Sequence, residues 1–139
     1  MEKYKARIAS YPQVFSIIGK LSHKAREPVT PEKAKQVAYE LNDWFYSIGG
    51  MCADTSTRGA IRLLRRACLT WGKQGSRPSD FYKWHNHALL LLRNDLDLQG
   101  LEELSDTEDI TTLTKRVKYE VALATKEEVA QETKDEIAK

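Results

Sequence analysis

The chain of 139 residues lacks most features that mark a specialised protein class. Its two cysteines, Cys52 and Cys68, are too few for a disulfide framework, and with no second pair they give a zinc site little support. Four prolines and seven glycines exclude collagen-like and low-complexity chains. Long hydrophobic runs are missing: no stretch approaches the roughly 18 apolar residues of a spanning helix. No apolar N-terminal segment reads as a signal peptide, so a cytoplasmic protein without a transmembrane segment is expected. No run alternates with period two, which argues against a sheet. Catalytic strings are missing as well. There is no Gly-x-Ser-x-Gly elbow, no phosphate-binding loop and no cysteine in a recognisable nucleophilic context.

With 41% hydrophobic and 30% charged residues, the chain reads as one ordinary domain. That length buries about two-thirds of the unfolded surface. The sustained period is helical. Thr30-Pro31-Glu32 offers a capping hydroxyl and a proline whose missing N–H costs nothing in the first turn. Ala34, Val37, Ala38, Leu41, Phe45 and Ile48 follow at helical spacing, and Gly49-Gly50 is expected to stop that helix through a left-handed residue. A second helix is expected to start among Asp54–Thr57 and run to about Trp71-Gly72. A third, capped by Ser79 or Asp80, carries Phe81, Trp84, Ala88, Leu92 and Leu96 and closes at Gly100. The last begins after Ser105-Asp106-Thr107, with its apolar stripe ending at Ala124 because Glu128 occupies the next position on that face. Pro12 predicts a kink or break in a first helix near Tyr11. The expectation is an all-α compact bundle of about five helices, with residues 1–125 as a single helical domain and 126–139 as a charged, frayed or disordered tail.

Charge is distributed unevenly. Residues 1–100 hold 16 basic and 9 acidic side chains, a net +7, while residues 101–139 hold 6 and 11, a net −5. Arg58, Arg62, Arg65, Arg66 and Lys73 fall on one arc opposite the apolar stripe of their helix, with Leu69 inside the arc and Arg77 in the loop beyond. Guanidinium groups there suit phosphate or carboxylate. The same arc also suits a solvated face paired internally with the acidic segment. Gly49-Gly50 with Thr55, Ser56, Thr57 and Arg58 could form an anion pocket at a helix start, though a helix stop and restart explains the same residues.

His85 and His87, two apart on a helix, point to different faces and cannot chelate one ion together. His85 reads as a buried core histidine. Asp95 projects toward the apolar arc and requires a partner, with an arginine of the preceding helix expected. No catalytic, cofactor-binding or metal-ligating residue is assigned.

Tyr11-Pro12, Leu21 and Pro28-Val29-Thr30 lead into Leu41-Asn42-Asp43-Trp44-Phe45-Tyr46, then Gly49-Gly50-Met51, a polar cap with Arg58, and Leu92-Arg93-Asn94-Asp95-Leu96. This string, covering Tyr11 to Gly100, resembles an uncharacterised helical domain family common in bacterial proteins. The family's core reads Trp-Tyr-Tyr, Gly-Gly-hydrophobic, Ser/Thr and Arg, with a closing Leu-Arg and Asp-Leu-Gly element. The chain departs from it at Phe45, at Cys52-Ala53 and at Asp97. The resemblance implies a helical fold, a bacterial intracellular setting, and a structural or recognition unit of Trp44, Arg58, Arg93 and Asp95; it attaches no enzymatic activity.

The leading expectation is therefore a non-enzymatic interaction module using Arg58, Arg62, Arg65, Arg66, Leu69, Lys73 and Arg77 toward a protein partner or a second copy. Direct binding of nucleic acid or an anionic membrane surface by the same face is the alternative, without a recognisable motif for it. An enzyme assembled from scattered residues such as His85, Asp95 and Arg58 is the third.

Overall fold

The computed structural model describes residues 2–22, 25–96 and 110–138. Within them the chain forms six helices and no strand: α1 (Glu2–Gly19), α2 (Pro31–Phe45), α3 (Ile48–Met51), α4 (Thr55–Gln74), α5 (Phe81–Asp95) and α6 (Ile110–Ala138). The all-α bundle expected from the sequence is the observed fold, with α3 as an additional single turn. Among the described residues no helix is long and apolar enough to cross a membrane. Gly100 and Ser105–Thr107, expected to close one helix and open the next, lie outside the described residues.

The local signals explain most boundaries. The Thr30 hydroxyl accepts from the Lys33 amide at 3.1 Å, and Pro31 occupies the first turn of α2. Asp80 precedes α5, but its carboxylate accepts from the Trp84 indole at 3.2 Å instead of from a free backbone amide. The α4 helix runs past Gly72 and ends at Gln74, where Gly75 adopts φ +80. That left-handed conformation is one that glycine reaches without a Cβ penalty.

Three expectations are corrected. The α1 helix is continuous through Pro12 rather than broken near Tyr11. Both Pro12 and Ile8 are exposed, so the carbonyl that loses its intrahelical donor lies on a side water can reach. Gly49 and Gly50 do not supply a left-handed stop; they form α3, and among the described residues Gly75 is the glycine with positive φ. Their role is close approach. A Cβ on Gly50 would lie 2.1 Å from the Phe45 carbonyl oxygen, and one on Gly49 2.7 Å from the Ser10 Cβ. Finally, residues 126–138 continue α6 as helix instead of forming a separate tail.

The α4 helix is the spine, with α2, α5 and α6 packed around it, while α1 closes the bundle against α2, α3 and α5. Tyr11, Ile18, Leu41, Trp44, Ile61, Leu64, Phe81, Leu91 and Leu92 are fully buried in one continuous core. Each such aliphatic or phenyl side chain contributes roughly 1.5–3 kcal/mol on burial. Val117 and Val121 seat α6 on this core, and α6 approaches α4 closely at Gly59, where a Cβ would lie 2.8 Å from Val121 Cγ1.

Candidate functional site

The arginine arc of α4 faces α6 and the end of α2, and most of it is occupied from within the chain. Glu128, only 7% exposed, sits between Arg62 Nε at 3.2 Å and Arg66 Nη1 at 2.9 Å. Arg65 Nη1 donates to Asn42 Oδ1 at 2.6 Å. The Phe45 ring takes the Arg58 guanidinium 4.7 Å and the Arg65 guanidinium 5.4 Å from its centroid. Arg77 lies 4.8 Å from the Tyr82 centroid. Such cation–π contacts hold a guanidinium in place without neutralising it. Lys73 and Leu69 remain exposed, Leu69 at 40%. Of the expected basic face, Arg62 and Arg66 are thus paired with an α6 carboxylate, whereas Arg58, Arg65 and Arg77 rest on neutral groups.

Beside the Glu128 clamp, α4 and α6 leave a cleft of about 550 Å³ lined by Phe45, Thr55, Ser56, Arg58, Gly59, Arg62, Ala122, Thr125, Lys126 and Val129. Gly59 lies on its α4 side, next to the close contact with Val121. Three cations line this space, and they differ in pairing. Arg62 shares Glu128 with Arg66, whereas among the described residues neither Arg58 nor Lys126 has a carboxylate within ion-pair distance. Among the described residues five buried side-chain polar atoms lack a hydrogen-bond partner, and three of them, Arg58 Nε, Arg62 Nε and Thr125 Oγ1, belong to residues lining the cleft. Arg62 Nε faces Glu128 Oε1 without an aligned N–H···O geometry, so that ion pair leaves its donor unsatisfied. Buried polar groups ordinarily find partners, so these unmet donors and acceptors set the cleft apart from the rest of the described core.

The other sequence candidates lie elsewhere. Asp95 is buried, but its partners come from α1 and the α3–α4 junction, not from an arginine of the preceding helix. Its Oδ2 accepts from the Tyr11 hydroxyl at 2.7 Å and the Asp54 amide at 3.2 Å. Arg7 ties the same corner together through the carbonyls of Asp95 at 3.1 Å and Cys52 at 2.8 Å. Burial and the Asp95 carboxylate both push the Tyr11 hydroxyl well above its ordinary pKa. Trp44 joins this group through Tyr11, ring centroids 5.5 Å apart, and its indole donates to the Ser10 carbonyl at 3.1 Å. Trp44 and Asp95 therefore meet around Tyr11, Arg58 stands at the cleft, and Arg93 is exposed on α5.

His85 is buried against Phe81 and Tyr82. His87 turns to α6 and meets Glu120 at 2.6 Å, a hydrogen bond that holds the Glu120 carboxyl below the usual carboxylate range. Among the described residues no group of three or more His, Cys, Asp or Glu side chains could hold a metal ion.

Phe45, Thr125, Lys126 and Glu128 complete the cleft and its clamp, and none belongs to the face expected from sequence. Glu128 carried a readable signal: it falls on the seam of α6, one turn beyond Ala124. A carboxylate there demands a cation from the helix it faces. Comparison with family models, with curated proteins and with solved structures finds no match to this chain.

Proposed function

We propose that the protein is a non-enzymatic helical binding module. Its recognition element is the basic side of α4 where it meets α6, and an anionic group enters the cleft there. The observation carrying this reading is the pairing imbalance. Among the described residues Arg58 and Lys126 line the space with no carboxylate within ion-pair distance, while the neighbouring Arg62 and Arg66 share Glu128. Guanidinium and ammonium donors beside hydroxyls suit phosphate or carboxylate oxygens. The Phe45 ring pre-orders Arg58, which lowers the entropy lost on capture.

Other readings draw less support. A continuous basic face for nucleic acid or an anionic bilayer is interrupted by the Glu128 clamp and by Arg65 on Asn42. The enzyme reading needs His85, Asp95 and Arg58 in one cleft, and only Arg58 lines the α4–α6 cleft. Kinship with the bacterial helical family and a cytoplasmic setting belong to this proposal and rest on the sequence alone.

Calorimetric titration of the full chain with inorganic phosphate at low ionic strength tests the reading. Saturable binding that weakens with added salt and is lost in Arg58→Gln is expected. No binding, or equal binding by the variant, contradicts it.

A further inference from the structure

The cleft is far larger than the group that its cations would hold. About 550 Å³ lies within the range of sites that enclose small organic molecules, roughly 300–1,000 Å³. A bare phosphate fills only a small part of it. Part of the remaining wall is apolar, formed by Phe45, Gly59, and Ala122 and Val129 on α6, beside the hydroxyl side chains of Thr55 and Ser56. The charge is specific too. Among the described residues neither Arg58 nor Lys126 has a carboxylate within ion-pair distance, and the single Glu128 carboxylate is divided between Arg62 and Arg66, so the positive charge around the cleft is in excess. A carboxylate brings one negative charge, whereas a phosphate monoester brings roughly −1.5 to −2 near neutral pH.

Building on the anion-binding reading above, we infer that the cleft takes a small phosphate monoester carrying a compact apolar or aromatic body. The phosphate oxygens lie between Arg58 and Lys126, with the Thr125 hydroxyl, buried and without a partner, as a further donor. The organic body lies against Ala122 and Val129. Burying even a ring-sized apolar surface there should strengthen binding about tenfold or more over the bare ion.

The test compares three probes on the full chain by titration calorimetry at one ionic strength: phenyl phosphate, inorganic phosphate and benzoate. Phenyl phosphate is expected to bind at least about tenfold more tightly than either of the others. Val129→Ser, at a half-exposed position, should remove most of that advantage, with a circular dichroism melt of the variant checking its fold. Equal affinity for phenyl phosphate and inorganic phosphate overturns this inference while the anion-binding reading stands. Benzoate binding as tightly as phenyl phosphate overturns the dianion assignment. Failure of all three probes to bind overturns both readings together.

Discussion

Glu128 Oε1 lies 3.2 Å from Arg62 Nε, and the other oxygen of the same carboxylate lies 2.9 Å from Arg66 Nη1. One acidic side chain of the final helix is thereby shared by two arginines of α4, offsets one of their two positive charges, and ties α6 to α4 beside the cleft. The carboxylate is nearly inaccessible, whereas the two arginines keep side-chain exposures of 31% and 55%. A buried carboxylate with two half-solvated partners is held strongly, yet either arginine retains donors for another anion.

Glu128→Gln should therefore cost about 1–2 kcal/mol, below the value for a fully buried pair because water still screens the arginines. Urea denaturation monitored by circular dichroism measures it. The same variant should bind inorganic phosphate more tightly than the native chain, since it removes the negative charge beside the cleft. Unchanged stability would show that the clamp is ornamental.

Tyr11→Phe removes the donor that the buried Asp95 carboxylate depends on, and should cost about 1–3 kcal/mol near neutral pH. The pH dependence has a fixed sign. The folded protein holds the Tyr11 proton above the range in which the unfolded chain releases it, so this contribution is complete below about pH 10 and declines at higher pH. The native chain should lose stability above that point more steeply than the phenylalanine variant. Parallel alkaline limbs in the two proteins would contradict the assignment.

Cys68 is fully buried, and burial pushes its thiol up to about 12. Thiolate is the reactive form, so Cys68 should resist a thiol reagent at pH 8 until the protein unfolds. Half-buried Cys52 should react first. Labelling followed by mass spectrometry separates the two, and rapid modification of Cys68 in native protein would contradict the packing of α4.

Gly59→Ala tests the closeness of α4 and α6. Alanine favours helix by about 1 kcal/mol over glycine. Its Cβ would nevertheless meet Val121 Cγ1 at 2.8 Å, and Val121 is buried and β-branched, with little room to turn. The net expectation is a loss of about 1 kcal/mol in thermal or urea unfolding; a gain would mean that α6 yields freely.

The fold was legible because its signals are local. Thr30 with Pro31 opens α2, the polar run before Thr55 opens α4, and the stripes of each helix name its buried side. Two readings failed where a local rule was satisfied by a non-local contact. Gly49-Gly50 resembles a helix stop, but small residues there answer to Trp44, Ser10 and the Phe45 carbonyl. Glu128 resembles the end of an apolar stripe, since a lone carboxylate on such a face is costly. The cost disappears once two arginines from a helix distant in sequence meet it. The arginine arc is visible from spacing, whereas its division, among the described residues, into Arg62 and Arg66 on Glu128 and Arg58 without a carboxylate depends on which residue of α6 faces each one.

The most direct test of the α4–α6 cleft is a nuclear magnetic resonance titration of the isotopically labelled full chain with inorganic phosphate at low salt, following backbone amides and arginine Nε–H signals. The account predicts saturable shifts confined to the Arg58 Nε–H and to the amides around Thr55–Gly59 and Ala122–Val129, absent in Arg58→Gln. Shifts centred on exposed Lys73 and Arg77 instead, or none at all, would contradict it.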